Sequence, residues 1–210
     1  MSTRAGPAKQ AYHHGDLRRV LLDAATKRFA ERGDFGFTLR ELARDVGVSH
    51  NAPYRHFAGK DELLEALRDD GFTRLAERER RALDAAGADP RARVRALGEA
   101  YVRFALQDGP SFRLALALPP KKGSSRTDAA IASFSVLERT IAEAQRAGAV
   151  RTDLSAKELA VAAWSLVHGV ATLLASGQLP TRSGHVARYT ELLSQVFFDG
   201  AAAPRARAAG

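Results

Sequence analysis

The side chains best suited to recognition chemistry in this chain are concentrated in residues 49–60. The segment offers an amide, a guanidinium, an ammonium and imidazole rings, which hydrogen-bond to base edges or phosphate. It contains no carboxylate, whereas a solvated helix mixes signs, as Arg78 and Arg81 do with Glu77 and Glu79. These residue types suit a polyanion such as nucleic acid. The candidates are His50, Asn51, Tyr54, Arg55, His56 and Lys60.

Two short helices joined by a tight turn must position these side chains. Thr38, with Glu41 three residues later, predicts a capped helix start, and Gly47 predicts its end, because a left-handed residue commonly closes a helix. Ser49 then caps a third short helix to about residue 57. Ala43 is small where the two helices cross closely. The pattern is that of a helix-turn-helix whose second helix suits the major groove.

The rest of the chain is also predicted to be helical. A first helix spans residues 16–33 with Asp16 as its N-cap, and a long fourth helix starts near Lys60. Later helices open near residues 90, 111, 128, 156 and 185, the one at 156 behind a second capping box of Ser155 and Glu158. No alternating strand pattern of useful length is present, so the fold class is all-α. Residues 1–15 read as a basic arm, 119–127 as a polar loop and 199–210 as a tail.

Composition restricts the classes of protein. The 210 residues include 32 Lys plus Arg, 24 Asp plus Glu and no Cys, which excludes disulfide scaffolds, Cys-based zinc sites, iron–sulfur clusters and thiol nucleophiles. Residues 1–60 hold 11 basic and 6 acidic side chains against 21 and 18 in 61–210, so the positive charge is concentrated near the N-terminus. Coding bias toward arginine is the alternative explanation for the excess of positive charge. No segment approaches the roughly 20 apolar residues of a membrane span, which predicts a cytosolic protein.

Signals for catalysis or metal binding are weak. The chain has no G-x-S-x-G, H-E-x-x-H, G-x-G-x-x-G or phosphate-loop spacing, so we expect neither an enzyme nor a cofactor. His13, His14 and Asp16 could hold a metal, but they lie in the arm without a further fixed ligand. Nonspecific contacts of the arm with DNA, or contacts with its minor groove, are the stronger interpretation, and no metal is expected. A helical module that binds a small molecule or a partner, without DNA, is the remaining alternative.

Residues 38–63 resemble the DNA-binding domain of the TetR family of bacterial transcriptional regulators. The family pattern T-x-x-x-I/L-A-x-x-x-G-V-S-x-x-x-x-Y-x-x-F-x-x-K-x-x-L is met at ten positions over 26 residues. Residues 12–25 are similar to the lead-in of one subset of the family, and residues 163–169 (AWSLVHG) resemble its WHG-type C-terminal domain. Pro53 departs from the usual Leu or Val and should shift how the recognition helix begins. The matched positions are Thr38, Leu42, Ala43, Gly47, Val48, Ser49, Tyr54, Phe57, Lys60 and Leu63.

The resemblance implies a role for each recognition residue. Thr38 and Arg40, at the start of the supporting helix, would contact phosphate through a hydroxyl, a guanidinium and the helix N-terminus. Tyr54, His56 and Lys60 would also hold the DNA backbone. For Tyr54, packing in the core is the alternative, and Phe57 is expected there. The residues that would read base edges, an amide suiting adenine and a guanidinium guanine, are His50, Asn51 and Arg55.

The resemblance also implies a sensing unit. A DNA-binding domain over residues 16–62 would precede a ligand-binding and dimerisation domain over residues 63–198. A cavity would lie among the central helices of the second domain. For Trp164 and His168, four residues apart, a packing pair with an internal hydrogen bond on His168 is the alternative to ligand contact. The candidate cavity residues are Tyr101, Phe104, Phe112, Phe134, Trp164 and His168.

The resemblance implies, finally, that the protein forms a homodimer. By resemblance, the last two long helices would pair with those of a second copy as a four-helix bundle. The homodimer would bind a pseudo-palindromic operator, and a small molecule that shifts the fourth helix would release it, which predicts a ligand-responsive repressor. The apolar faces expected to pair are Leu166, Val167, Val170, Leu173 and Leu174 on one helix, and Val186, Leu192, Leu193, Val196 and Phe197 on the next.

Overall fold

In a computed structural model, the chain is described over residues 17–117, 128–182 and 184–200, and these ranges contain helices and no strand, which confirms the all-α class. A 3₁₀ helix, Ala52–Arg55, lies between the second and third α-helices. The α-helices are α1 (Leu17–Arg32), α2 (Leu39–Asp45), α3 (Lys60–Ala86), α4 (Pro90–Gln107), α5 (Gly109–Ala117), α6 (Asp128–Arg146), α7 (Ala156–Ala175) and α8 (His185–Gly200).

Several predictions fall outside the described residues. They concern the basic arm, with His13, His14 and Asp16, the polar loop 119–127, and the tail from residue 201. Two residues assigned to the tail, Asp199 and Gly200, are instead the last residues of α8. Over the described ranges, no group of three His, Cys, Asp or Glu side chains is arranged to hold a metal ion.

The chain divides into two compact units between Leu64 and Glu65. The first contains α1, α2, the 3₁₀ helix and the first turn of α3, and the second contains the rest of α3 and the helices that follow. The candidate nucleic-acid residues therefore all belong to the first unit. The candidate cavity residues all belong to the second.

Apolar residues at helical spacing build the core of the first unit. α1 buries Leu21, Ala25 and Phe29 along one side, and α2 packs against α1 and the 3₁₀ helix. Ala43 is fully buried, as its small size at the helix crossing predicted, and Phe57 is buried as expected. Each large side chain buried here contributes about 1.5–3 kcal/mol. Other buried members are Phe37, Leu39, Leu42, Pro53 and Leu63.

The turn after α2 has the geometry predicted from Gly47. This residue has φ = +73°, and its N–H donates to Arg44 O at 3.2 Å while the Val48 N–H donates to Ala43 O at 2.9 Å. These two bonds form a Schellman motif, which satisfies the last carbonyls of α2 and directs the chain toward the recognition residues. At the other end, Thr38 and Glu41 form the predicted capping box.

Replacing Gly47 with Ala should destabilise the protein by about 1 kcal/mol, because left-handed backbone costs a residue with a Cβ roughly 1–2 kcal/mol. A Cβ built on Gly47 meets no heavy atom within 4 Å, so backbone strain is the only cost. Gly47→Asn is the matched control, since Asn tolerates this region. Urea denaturation monitored by circular dichroism should show that Gly47→Asn lowers the free energy of unfolding by less than half as much as Gly47→Ala. Equal losses for the two variants would contradict this explanation.

In the second unit, α4 is the central helix and packs against α5, α6, α7 and α8. It begins as predicted: Asp89 accepts a hydrogen bond from the Ala92 N–H at 2.9 Å, and Pro90 takes the first helical position. The predicted capping box of Ser155 and Glu158 opens α7. Two buried apolar groups hold the unit together. One comprises Val94, Ile141, Ala144, Val150, Leu159, Ala160, Phe197 and Phe198, and the other Leu75, Tyr101, Val102, Phe104, Ala105, Phe112, Ala171 and Leu174.

α7 is more apolar than the sequence analysis allowed. Among the described residues it is one helix whose 20 residues and mean hydropathy would suffice to cross a membrane. Here it packs against α4, α6 and α8 and buries Leu159, Ala160, Ala171 and Leu174. A core helix passes the same test of length and composition, but packing within the second unit buries only part of this apolar segment.

Candidate nucleic-acid interface and ligand cavity

The recognition segment is shorter and tighter than the helix predicted for residues 49–57. Only Ala52–Arg55 is helical, in 3₁₀ form, and the Ala52 N–H donates to Ser49 O at 3.0 Å. Pro53 has no N–H, so it cannot make the i to i−4 bond that would extend an α-helix from Ser49. The departure of Pro53 from the family pattern thus has the local effect that the sequence suggested.

Four of the candidate recognition side chains are exposed around this turn. His50, Asn51 and Arg55 are exposed, and Tyr54 is 48% exposed, which places it outside the core. Asn51 occupies the N-cap position, yet its side chain makes no capping hydrogen bond, so its amide is available. The side chains of Pro53 and Phe57 are buried and hold the backbone of this turn in place, while the four candidate recognition side chains stay exposed.

The side chains expected to contact phosphate differ in their exposure and in the hydrogen bonds they already make. Arg40 is exposed, and His56 is half-buried. The Thr38 hydroxyl donates to Glu41 Oε2 at 3.0 Å and accepts from the Glu41 N–H at 3.2 Å. The hydroxyl proton of Thr38 is therefore already engaged within the capping box rather than available to a phosphate. The Lys60 ammonium contacts the Phe35 carbonyl oxygen and lies 5.5 Å from the centroid of the Phe37 ring. Of these groups, Arg40 is the best placed to contact a polyanion.

An ion pair that the sequence analysis did not anticipate joins α1 to α2. Arg28 Nε and Nη2 donate to the two oxygens of Asp45 at 2.5 and 2.9 Å, and Arg28 Nη1 lies 3.7 Å from Glu41 Oε1. The hydrogen bonds from Arg28 hold the pKa of the Asp45 carboxyl below its ordinary value. This network occupies both acids of α2, whereas Arg40 and Arg44 of the same helix are exposed.

The second unit contains a cavity of about 350 Å³ with a mostly apolar lining. It lies among α3, α4, α5, α6, α7 and α8. Five of the six candidate residues line it, and His168 is not among the lining residues. The five are Tyr101, Phe104, Phe112, Phe134 and Trp164.

His168 is connected to the cavity through Tyr101. The Tyr101 hydroxyl lies 2.9 Å from His168 Nδ1 and accepts a hydrogen bond from Trp164 Nε1 at 3.3 Å. Burial raises the pKa of Tyr101 to about 12 and lowers the pKa of His168. Because both groups are neutral near pH 7, Tyr101 can donate to His168 while it accepts from Trp164. The geometry matches the alternative in which His168 makes an internal hydrogen bond.

Glu79, which the sequence analysis placed on a solvated face, is instead buried in the cavity wall. It is 6% exposed, and the Ser133 hydroxyl donates to its Oε2 at 3.0 Å. Burial raises the pKa of Glu79 from 4.5 to about 7, although the hydrogen bond from Ser133 opposes this. Helical spacing could have found it, because Phe72, Leu75 and Glu79 follow one another on the inner face of α3.

Stability should therefore fall as the pH rises through the range in which Glu79 ionises. A carboxyl with a higher pKa in the folded state stabilises the fold below its unfolded pKa, near 4.5, and this stabilisation is lost as the pH rises through about 7. The difference is on the order of 3 kcal/mol, since one pKa unit corresponds to about 1.4 kcal/mol. Glu79→Gln should remove this dependence between pH 5 and 8 in urea denaturation. Glu77→Gln, at an exposed position of the same helix, should not, and parallel profiles for Glu79→Gln and the parent would contradict the assignment.

α7 and α8 expose an apolar surface that nothing in the described part of the chain covers. Leu192 and Val196 of α8 are 53% and 52% exposed, and α7 contributes Val161, Leu166 and Leu173. We call these five residues the α7/α8 face. Leu174 and Phe197, which the sequence analysis assigned to a pairing surface, are buried in the core of the second unit. The other predicted members, Val167, Val170, Val186 and Leu193, are half-buried.

Two family models match this chain. Residues 21–67 match the family described as bacterial regulatory proteins, tetR family, and residues 94–197 match the tetracyclin repressor-like C-terminal domain. The first match includes α2 and the exposed turn of residues 50–55, which we call the recognition turn. The second includes most of the cavity wall and both helices of the α7/α8 face.

Individual relatives agree with these matches. The chain is 36% identical over 95 residues to the HTH-type transcriptional repressor KstR2 of Rhodococcus jostii (strain RHA1), covering 43% of this chain and 44% of KstR2. The chain spans about two fifths of the length of the curated relatives it matches. A solved structure of a protein of unknown function from Rhodococcus sp. RHA1 is 39% identical, with a TM-score of 0.81, covering 92% of this chain and 100% of that one. PfmR from Thermus thermophilus shares the fold, with a TM-score of 0.66 and 21% sequence identity. The match covers 85% of this chain and 97% of the PfmR chain.

Proposed function

Because this chain belongs to the TetR family of bacterial regulatory proteins, we propose that it is a DNA-binding transcriptional regulator of the cytoplasm. It acts as a homodimeric repressor on a pseudo-palindromic operator, and a small molecule bound in the second unit releases it. Residues 16–62 carry out DNA binding, and residues 63–198 carry out ligand binding and pairing. This role is regulatory and requires neither a catalytic site nor a cofactor.

The observation that carries this proposal is the exposed recognition turn. Residues 49–60 contain no carboxylate, and the buried side chains of Pro53 and Phe57 hold their backbone in place. Asn51 and Arg55 supply the two side-chain types that make bidentate contacts with adenine and guanine. His50 is a third base-reading candidate. Arg40, Tyr54, His56 and Lys60 would contact phosphates, and Thr38 could join them only if its hydroxyl left the capping box.

The α7/α8 face supports the homodimer. An apolar surface of this kind on a soluble protein marks an interaction site. Two copies related by a two-fold axis would bury it against itself and present two recognition turns to successive major grooves, about 34–36 Å apart. Ligand control would act through α3, which begins in the first unit at Lys60 and contributes Leu75 and Glu79 to the cavity wall.

Selection of genomic fragments by the purified full-length protein tests this function. We expect a small set of fragments that share an inverted repeat. Binding to them should weaken steeply with salt, because each neutralised phosphate releases a counterion. Enrichment of no sequence above the starting pool, or affinity that does not change between about 50 and 200 mM salt, would overturn the proposal.

A further inference from the structure

Glu79 is placed to select the chemistry of the cavity's ligand. Its carboxyl lines the cavity and is held by the hydroxyl of Ser133, with both oxygens within 3.2 Å of Ser133 Oγ. One hydroxyl donor satisfies only part of the acceptor capacity of a carboxylate, which has about four lone-pair sites. Glu79 therefore retains acceptor capacity for a donor on a ligand.

No positive side chain of the described residues forms an ion pair with Glu79. Neighbouring arginines of α3 are used elsewhere: Arg74 pairs with Asp70 and Asp108, and Arg78 donates to Gln107 at 2.9 Å. A buried carboxylate without a counter-charge is costly, which makes a cation brought by a ligand strongly favoured there.

Aromatic rings line the same cavity as this carboxyl. Phe134 follows Ser133 on α6 and meets Trp164 edge-to-face, with ring centroids 6.3 Å apart. Tyr101 also lines the cavity, close enough for the charge of Glu79 to contribute to the raised pKa of its hydroxyl. Faces of aromatic rings attract organic cations, most strongly where water is excluded. A cavity lined by one carboxylate and several aromatic rings suits a ligand with an ammonium group.

We propose that the cavity binds an apolar molecule with a single ammonium group, and that the ammonium pairs with Glu79 among the rings of Tyr101, Phe134 and Trp164. The inference rests on the proposed function to the extent that this cavity is the effector site. It names the chemical class of the effector as a lipophilic amine.

Arg68 is a feature of the cavity that favours an anion. It is buried, it lines the cavity, and its Nε has no hydrogen-bond partner among the described residues. However, its guanidinium carbon lies 5.9 Å from the centroid of the Phe72 ring, whereas the hydrogen-bond partner of Glu79 is the neutral hydroxyl of Ser133. Glu79 lies eleven positions after Arg68, which separates their Cα atoms by about 16 Å along α3.

Binding of an amine should strengthen with pH. The groups around Glu79 are Ser133 of α6 and Tyr101 of α4, which hydrogen-bonds to His168 of α7. The other charged cavity residues are Arg68 and Arg95, and Arg95 pairs with Glu191 of α8. Burial raises the pKa of Tyr101 to about 12 and lowers the pKa of His168, which disfavours a charge on either ring near pH 7, whereas the pKa of Glu79 is about 7. Its ionised fraction, and with it the affinity for the amine, should rise roughly tenfold between pH 6 and 8.

Fluorescence of Trp164, the only tryptophan of the chain, tests the proposal directly. The probes are 4-phenylbutylamine, 4-phenylbutan-1-ol and 4-phenylbutanoic acid, which differ only at the polar end. At pH 8 the amine should bind about tenfold or more tightly than the alcohol, and Glu79→Gln should abolish that preference without changing the affinity for the alcohol. Preference for the acid, especially if Arg68→Gln removes it, would overturn the inference. An amine affinity unchanged in Glu79→Gln would also overturn it.

Two further measurements separate this inference from the proposed function. Glu79→Gln should unfold at a urea concentration no lower than the parent at pH 8, so a lost amine preference cannot be assigned to misfolding. DNA binding is measured on the same preparation. A protein that binds its selected fragments but shows no amine preference overturns only this inference. A protein that prefers the amine but binds no fragment overturns the proposed function and supports the assignment of Glu79.

Discussion

Arg55→Ala and Asn51→Ala are each expected to weaken binding to the selected operator by about 30-fold or more. A bidentate contact to a base is worth about 1–3 kcal/mol, and a dimer makes each contact twice. Both side chains are exposed, so their removal should not disturb the core. The reduction should be largest for the selected sequence and small for a scrambled duplex of the same length, because phosphate contacts do not read sequence.

Arg80→Ala is the matched control for this prediction. Arg80 is an exposed arginine in the second unit, paired with Asp84 at 3.0 Å. Its removal changes the net charge as Arg55→Ala does, but should alter operator affinity less than about twofold, since exposed pairs contribute little. Fluorescence anisotropy of a labelled duplex measures all three variants. Equal losses for Arg55→Ala and Arg80→Ala would mean that the recognition turn does not read bases.

Leu192→Glu is expected to convert the proposed homodimer to a monomer at micromolar concentration. Leu192 is the most exposed member of the α7/α8 face. In a two-fold interface the substitution occurs twice, so the burial of two leucine side chains, about 1.5–3 kcal/mol each, is lost. Two carboxylates must also lose their hydration. The dissociation constant should rise about 1000-fold or more, measured by sedimentation equilibrium.

Ile131→Glu provides the comparison for the pairing surface. Ile131 is an apolar residue of α6, 42% exposed, and it is not part of the α7/α8 face. Its replacement should leave the dimer intact, with circular dichroism unchanged in both variants. A parent protein that is monomeric, or a dimer insensitive to Leu192→Glu, would show that two copies do not pair through this surface. Operator affinity should fall together with dimerisation, because one recognition turn contacts only one half-site.

Local signals in the sequence predicted the helix ends well. The capping boxes at Thr38 and Ser155 and the left-handed Gly47 depend on hydrogen bonds between residues three to five apart, which a sequence displays directly. Pro53 was recognised as a perturbation, but the extent of its effect depends on how the turn packs through Pro53 and Phe57. That packing involves α1 and α2 together, so the 3₁₀ form could not be derived from the segment alone.

Burial of charged residues was harder to predict. Glu79 has arginines on both sides, which resembles a solvated surface, yet its position on α3 turns it toward the cavity. The bidentate pair of Arg28 and Asp45 joins residues 17 apart, and no local pattern indicates such a contact. Leu174 and Phe197 belong to the core rather than to an exposed face, because an apolar stripe does not reveal which of its edges a neighbouring helix covers.

The most direct test of the central claim is the affinity of the full-length protein for its selected inverted repeat against a scrambled duplex of equal composition. Fluorescence anisotropy at about 150 mM salt, a physiological ionic strength, measures both under the same conditions. A sequence-reading regulator should bind the repeat about 1000-fold or more tightly, the usual margin between specific and non-specific binding. Equal affinity for the two duplexes would contradict the claim that the exposed turn around Asn51 and Arg55 reads DNA.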